Sequence, residues 1–544
     1  MTAKALLRMS SALPSSASLE RRLSRRGFLA GAAAISSASV LAVRSSRSAP
    51  AFAASKAEHA FEVSLDAGAP GTPVNRRVLG SNVGWVFGGD DMLKPDGTFA
   101  PRMLDMARKL APTVLRYPGG TLSDVFHWEA PQNEHVFSRR TMPMLMDTQR
   151  FLELCEAVGA EPLITVNIVT GTAQEAARWL HATNVVGFKS RITGRMLPRV
   201  KLWELGNEPY LQEQSRKDID LRPHEFARRV NIFIGALRAV DPAIQIGLPL
   251  TSDKRAGVPV TPYQGFTRRV LGLVDKPFDY ACVHNAYMPF GYKRGMREQD
   301  LYWGAAAGAL TVQSDLTAMS ALLEELRPGR EVPIAVTEYS ALFSLGRGAT
   351  DNWTVTPAGA IYMADVLRVF AQTPELLLAT HWSLSANWLF GAIHADGHAR
   401  PAYEVLRLMG EALHGELLPA RVSAGVVRVD GIGQVAAVEA MPLVEVLATR
   451  SAASATSAAS LRLVLINKDP QRAAAGTVAL GGSAPELAPR ATLSVLSALD
   501  VLDAHDQPNA MTRSDSVLQT GRGQVRLHLP PHSVALLTIE IQSS

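Results

Sequence analysis

The sequence is poor in cysteine and in motifs that bind metals or nucleotides. Only Cys155 and Cys282 occur in 544 residues, and both lie in apolar stretches. This excludes a disulfide-rich scaffold and favours two buried free thiols, with a disulfide between them left open. No cysteine and histidine cluster has zinc-like spacing, and no glycine-rich dinucleotide fingerprint follows a strand-like run. We therefore expect no metal and no cofactor.

An excess of one charge is also missing once the N-terminal segment is set aside. Residues 1–53 hold eight of the 55 lysines and arginines and one of the 50 acidic residues. The rest of the chain therefore has 47 basic and 49 acidic residues, a net charge of −2. The basic pI of about 9.2 arises largely from the N-terminus. A nucleic-acid partner is not expected.

The N-terminal segment has the pattern of an export signal. The stretch "SRRGFL" (24–29) resembles a bacterial twin-arginine signal, and the uncharged run 27–43 that follows is short and weakly apolar for a membrane span. Residues 51–53, "AFA", fit a small-x-small cleavage site. We predict a twin-arginine-type signal peptide over 1–53, a periplasmic or extracellular location and no stable membrane anchor after cleavage. A basic tail or an uncleaved anchor is the alternative.

Eight short apolar runs alternate with longer helical patterns in the middle of the chain. The runs are 78–87, 113–120, 162–169, 200–207, 244–250, 279–287, 332–340 and 376–384. Strands that are apolar almost throughout are buried on both faces, as in parallel sheets. Eight alternations predict a (β/α)8 TIM barrel over 76–410, although an open doubly wound sheet has the same periodicity.

The pattern changes after about residue 410. Short alternating strands separated by turn residues predict an antiparallel β-sandwich over 411–544. The stretch "EHAFEVSLD" (58–66) alternates in the same way. We assign 54–75 as a linker with one strand, which joins either the sandwich or the barrel.

Two glutamates fall at the ends of predicted barrel strands. Glu208 follows the fourth strand and Glu338 ends the seventh. Catalytic groups of such barrels lie at the carboxyl ends of the strands. Glycosidic bond cleavage needs paired carboxylates, of which one protonates the leaving oxygen while the other attacks the anomeric carbon or activates water. One such glutamate is more often a structural ion-pair partner, but a matched pair favours an active site on a carbohydrate substrate.

Other polar and aromatic residues fall at the same strand ends. Arg116 would keep a nucleophilic carboxylate ionised. Trp382 would offer a face on which a sugar packs. The residues that we predict to bind substrate or to support the two glutamates are Asn82, Trp85, Arg116, Asn167, Asn207, His284, Tyr287 and Trp382.

The strand-end motifs resemble those of a known group of enzymes. "ELGNEP" (204–209) and "TEY" (337–339) resemble the strand-4 and strand-7 signatures of the clan A glycoside hydrolases. This resemblance implies that Glu208 is the acid/base, that Glu338 is the nucleophile, and that Asn207 faces the sugar hydroxyl beside the reacting carbon. It also implies retention of configuration, with the carboxyl groups about 5 Å apart.

A narrower resemblance is to the family 51 α-L-arabinofuranosidases. It lies in "LRYPGG" (115–120), "FHWE" (126–129) and the stretch 165–184. Strand 1 lacks the glutamate with which that family grips the furanose, Thr121 stands in place of asparagine, and 337–339 replaces Asp-Glu-Trp. The resemblance thus implies a retaining hydrolase more strongly than an arabinofuranosidase. A heparanase-like or β-glucuronidase-like enzyme, a transglycosylase and a non-catalytic carbohydrate-binding protein stay open.

Overall fold

A computed structural model of the protein describes residues 57–211, 219, 221–287, 297–341, 353–386, 390–454, 458–481, 487–503, 505–521 and 523–542. The predicted signal peptide lies outside these residues. Within them, none of the helices combines the length and the hydropathy that a membrane span requires.

Eight parallel strands form the central barrel. They are β1 Gly80–Asn82, β2 Val114–Tyr117, β3 Glu161–Val166, β4 Leu202–Leu205, β5 Gln245–Pro249, β6 Tyr280–Val283, β7 Ile334–Ser340 and β8 Leu376–His381. Each strand pairs with the next, and β8 pairs back onto β1 with Thr380 opposite Gly80. This closure confirms the predicted barrel and excludes the open doubly wound sheet.

A helix follows each barrel strand along the chain. The helices are α1 Pro101–Leu110, α2 Thr148–Val158, α3 Ala173–Leu180, α4 Pro223–Val240, α5 Phe266–Leu273, α6 Glu298–Leu326, α7 Pro357–Ala371 and α8 Pro401–Ala412. Four of them begin with a proline, whose missing N–H costs nothing in the first turn. The helical patterns predict α1 to α4 and the second half of α6. All 15 residues of α7 are buried, so this helix carries no amphipathic pattern.

The sandwich consists of two sheets. The smaller has the strand order Ala420–Ala424, Glu58–Asp66, Ala473–Gly481, Gln524–Leu529. The larger has the order Thr72–Pro73, Glu416–Leu418, Val444–Ser451, Ser460–Asn467, Ser533–Ile541, Leu487–Ser497, Thr512–Gln519. The early strand Glu58–Asp66 therefore belongs to the sandwich and not to the barrel. Its alternating residues point into the sandwich core, which explains its period of two.

Short elements complete the described fold. They are the pairs Gln132–Glu134 with Thr141–Pro143, Lys254–Arg255 with Val258–Pro259 and Val426–Val429 with Val438–Pro442, the strand Ala286–Tyr287, and the helical turns Arg76–Leu79, Phe87–Asp90, Gly120–Val125 and His181–Val186.

Helix α7 lies between the barrel and the sandwich. Its Asp365 and Arg368 meet Lys468 and Glu445 of the sandwich in a buried ion cluster. The Lys468 ammonium is 2.5 Å from Asp365 and has no exposed surface. Burying these charges together is tolerable because each has an opposite charge within hydrogen-bonding reach. Both cysteines are buried and free, as the sequence predicts.

Candidate active site

The two predicted catalytic glutamates lie together at the carboxyl ends of β4 and β7. His284 connects them: its Nδ1 is 2.9 Å from Oε1 of Glu208 and 3.9 Å from Oε2 of Glu338. These two oxygens are therefore at most 6.8 Å apart, the sum of the two distances. Retaining glycosidases have carboxyl groups about 5–5.5 Å apart, whereas inverting enzymes need about 6.5–9.5 Å. The bound leaves little of the inverting range.

A sharp turn presents Glu208 at the barrel mouth. Gly206 has φ +86° and Glu208 has φ +43°, so the chain passes twice through the left-handed region directly after β4. A Cβ on residue 206 would lie 2.4 Å from Ile168, so only glycine fits there. Positive φ at a non-glycine residue is costly and is often found at functional sites.

Arg116 on β2 is the centre of the polar network beneath the two glutamates. Its guanidinium is fully buried and reaches four side chains: Glu204 at 2.6 Å, Asn207 at 2.9 Å, Asn82 at 3.0 Å and Glu338 at 3.4 Å. Asn207 accepts this bond through Oδ1, so its NH2 group is directed away from Arg116. That orientation suits a donor to a ligand hydroxyl, in agreement with the predicted role.

Opposing effects act on the carboxyl group of Glu338. Burial and the negative charge of Glu208 raise its pKa, whereas His284, Arg116 and the Tyr287 hydroxyl lower it, and the net direction is upward from 4.5. The Tyr287 hydroxyl donates to Oε1 of Glu338 at 2.5 Å, while Arg116 holds Oε2. Both oxygens of the predicted nucleophile are thus oriented by donors.

Glu204 is a buried charge that sequence reasoning missed. It lies on β4 with no exposed surface and accepts bonds from Arg116, Thr165 and Thr337. Burial raises its pKa, but Arg116 and His284 outweigh that effect and hold the pKa below 4.5. The available signal was the single acid within the apolar run "KLWEL" (201–205), since an unpaired glutamate is rarely tolerated in a barrel strand.

Thr337, His284 and Glu204 form a continuous chain of hydrogen bonds. Nε2 of His284 is 3.0 Å from Oγ1 of Thr337, and that hydroxyl is 2.7 Å from Oε1 of Glu204. The chain links β4, β6 and β7 below the barrel mouth. It ends at Glu208, which His284 contacts through its other ring nitrogen.

Two predicted asparagines serve the protein instead of facing an open site. Asn82 donates to the carbonyls of Thr337, Thr380 and His381, and it accepts from Arg116, so it fixes the arginine. Asn167 uses both ends of its amide within the loop after β3, where it bonds Thr170 and the neighbouring backbone. The structure places Asn82 inside the network and Asn167 outside it.

The two predicted tryptophans differ in position. Trp85 is completely buried and packs 6.0 Å from the ring of Phe126, so it has no face to offer a sugar and the predicted substrate role is wrong. Trp382 follows β8 and lies against Gly119 and Gly120, where an added Cβ would be 2.7–2.9 Å from its ring. These glycines, both at positive φ, let the loop pass beneath the indole.

Potential metal ligands also meet at one place outside the network. His394, Asp396 and His398 offer ligand atoms within 4.8 Å of one another. In the described structure they already bond to each other and to Asp506, which also pairs with buried Arg400. The sequence predicts no metal, and the arrangement fits a turn that ties the barrel to the sandwich.

A closed barrel with glutamates at the ends of β4 and β7, followed by a β-sandwich, is the architecture of the clan A glycoside hydrolases, and within it of family 51. The fold superposes on that of the thermostable family 51 α-L-arabinofuranosidase of Thermotoga petrophila with a TM-score of 0.73, covering 88% of this chain and 100% of that one at 20% identity. The Thermotoga maritima α-L-arabinofuranosidase gives a TM-score of 0.72 over 89% of this chain and all of that one, also at 20% identity.

Sequence similarity points to the same enzymes over a shorter span. The chain is 30% identical to α-L-arabinofuranosidase C of Emericella nidulans over 180 residues, which is 30% of this chain and 34% of that protein. It thus spans about a third of the length of the curated relatives that it matches. No protein-family profile matches the chain. The resemblance predicted from the strand-end motifs is confirmed by these likenesses.

Proposed function

We propose that the protein is an exported retaining glycoside hydrolase that works through a covalent glycosyl-enzyme intermediate. The observation that carries this proposal is the bridge made by His284, which keeps Glu208 and Glu338 within the 6.8 Å limit. Each side chain is about one-eighth exposed, so a ligand can reach both carboxylates. A water molecule between two carboxylates requires the wider spacing of an inverting enzyme.

The first step forms a bond between Glu338 and the anomeric carbon. As that bond forms, the glycosidic C–O bond breaks and the leaving oxygen takes a proton from Glu208. Arg116 and Tyr287 orient the attacking carboxylate, and Asn207 donates to a sugar hydroxyl. In the second step, water gives a proton to Glu208 and attacks the anomeric carbon, which releases Glu338 and retains configuration.

We infer that the substrate is an α-L-arabinofuranoside at the end of a plant-type oligosaccharide or an aryl glycoside. Support comes from the relatives, since the curated protein of Emericella nidulans and both Thermotoga structures are named α-L-arabinofuranosidases. A panel of aryl α-L-arabinofuranosides, pyranosides and uronides tests the inference. Turnover of a uronide above that of the arabinofuranoside would favour the β-glucuronidase-like alternative.

The catalytic assignment is tested with Glu338→Ala and Glu208→Ala. On the best aryl glycoside of the panel, Glu338→Ala is expected to lose about four or more orders of magnitude in kcat, because no covalent intermediate forms. Glu208→Ala is expected to keep far more activity on a dinitrophenyl glycoside than on a methyl glycoside, because a good leaving group needs no acid.

A matched control is Glu161→Ala, which removes a glutamate at the start of β3, at the opposite end of the barrel, where it pairs with Arg77. Its activity should stay within twofold of wild type. Undiminished turnover in Glu338→Ala would show that the nucleophile is another group.

Export is a separate part of the proposal and has its own test. We propose that residues 1–53 direct the folded chain through the twin-arginine route, based on "SRRGFL" (24–29). Changing Arg25 and Arg26 to lysine should keep the protein in the cytoplasm of a bacterial host, whereas the unmodified chain reaches the periplasm or medium. Equal export of both chains would refute this route.

A further inference from the structure

Glu204 accepts hydrogen bonds and donates none. Three donors converge on it: the Arg116 guanidinium and the Thr165 hydroxyl on Oε2, and the Thr337 hydroxyl on Oε1. The thiol of Cys282 lies beside the same carboxylate. An ionised carboxylate has only acceptor sites. With Arg116 fully buried at 2.6 Å, the ionised form is the one that the surroundings stabilise.

The Thr337 hydroxyl fixes which nitrogen of His284 carries a proton. A hydroxyl has one proton to give, and that of Thr337 is directed to Glu204 at 2.7 Å. The 3.0 Å contact between the same hydroxyl and Nε2 of His284 must therefore be donated by the ring. Nε2 is protonated, whatever the state of the rest of the ring.

One proton then remains for the contact between His284 and Glu208. With Nε2 committed, Nδ1 of a neutral ring is an acceptor, and its 2.9 Å contact with Oε1 requires a protonated Glu208. The other possibility is an imidazolium beside a Glu208 carboxylate. Both states hold the same single proton between the two groups.

We propose that Glu204 and Thr337 are positioning residues that lock the tautomer of His284 and thereby make His284 and Glu208 a pair that holds one proton at working pH. The proposal rests on the role of Glu208 as acid/base. It adds two residues to that reaction, and it explains why a carboxylate is buried beneath the barrel mouth.

The pair behaves differently at the two steps of the reaction. In the first step its proton passes to the leaving oxygen as the C–O bond breaks. The lone pair of Nδ1 then faces the carboxylate of Glu208 at hydrogen-bonding distance, which is repulsive. That repulsion makes the pair a stronger base, so it takes a proton from water in the second step as the water attacks the anomeric carbon.

Other charged and titratable groups surround the pair and are common to both tautomers. Glu338 lies 3.9 Å from Nδ1, and Arg255 donates to the backbone carbonyl of His284 at 3.3 Å. Further groups that act on Glu208, His284 or Glu204 are Arg116, Tyr210, Tyr280, Cys282 and Tyr287. None of these groups selects between Nδ1 and Nε2, because the described structure gives only Thr337 a contact with Nε2.

The test compares three threonine variants by the pH dependence of kcat/KM. Thr337→Val removes the acceptor of the Nε2 proton, so the ring can turn its proton to Nδ1 and stabilise ionised Glu208. The basic limb of the profile should therefore move down by about one pH unit. Thr337→Ser keeps the hydroxyl and should keep the wild-type limb. Thr165→Val removes a hydroxyl from the same carboxylate without touching His284, and its limb should stay in place.

A second measurement reads the tautomer directly and needs no substrate. The ¹⁵N resonances of His284, assigned by their loss in His284→Asn, should show a protonated Nε2 across the titration in wild type, and a protonated Nδ1 in Thr337→Val. An Nδ1–H tautomer in wild type overturns the proposal, as does an equal shift of the basic limb in Thr165→Val. If wild type hydrolyses no glycoside, the proposed function fails while the resonances still decide the tautomer.

Discussion

Arg116→Met should destabilise the protein far more than loss of an ordinary ion pair. The guanidinium is fully buried, lies 2.6 Å from Glu204 and 3.4 Å from Glu338, and also bonds Asn82 and Asn207. Methionine fills much of the same space but leaves Glu204 without its cation. Removing one partner of a buried pair costs about 3–5 kcal/mol, because the remaining charge stays buried.

The loss should also depend on pH, with a sign that follows from Glu204. In wild type its pKa is held below the unfolded value, so it contributes stability above that value and loses it on acidification. Without Arg116, burial raises the pKa of Glu204, so the variant is destabilised as pH rises above about 4.3, the unfolded value. The difference in unfolding free energy should therefore be largest near pH 7 and narrow towards pH 4.5.

Urea unfolding followed by tryptophan fluorescence, at several pH values, measures this difference. The matched control is Arg77→Met, which breaks a pair with Glu161 of the same 2.6 Å length but with side chains 37% and 25% exposed. That loss should be about 0–1 kcal/mol. The reasoning is refuted if the two variants lose equal stability, or if the gap for Arg116→Met widens on acidification.

Two further predictions concern the nucleophile and the domain interface. Because burial and Glu208 raise the pKa of Glu338, the acid limb of kcat/KM should lie above pH 4.5, and Tyr287→Phe, which removes a donor to Glu338, should move it higher and lower kcat/KM about tenfold or more; a downward shift would contradict the assigned contact. Lys468→Met should cost about 3 kcal/mol in urea unfolding, since it leaves Asp365 buried with one cation fewer, and a loss below 1 kcal/mol would show that the cluster is dispensable.

The barrel could be predicted from the sequence because its strands announce themselves locally. Each is a short apolar run followed by polar residues, and this pattern arises from burial of both faces of a parallel sheet. Helix α7 escaped because it is buried on every side and lacks the amphipathic period that marks α1 or α4. The strand Glu58–Asp66 had a clear period of two, but its partners lie more than 350 residues further along the chain, so the sequence could not choose its sheet.

The candidate site divides in the same way. Strand ends of a parallel barrel meet at one face, so the sequence alone brought Glu208, Glu338, Arg116, His284 and Tyr287 to one place. It could not show in which direction each side chain points once it is there. Asn82 and Trp85 follow the same strand, yet one braces Arg116 and the other packs in the core.

The sequence by itself thus determined the type of fold, the residues at the barrel mouth and the chemistry open to two carboxylates, since all three depend on residue type and spacing. Only the tertiary structure decided which groups touch. Glu204, Thr337 and His284 come from three strands, and their hydrogen bonds join residues 53 and 133 positions apart. Contacts of that kind depend on how the barrel closes and on the rotamers that packing permits, which no local pattern records.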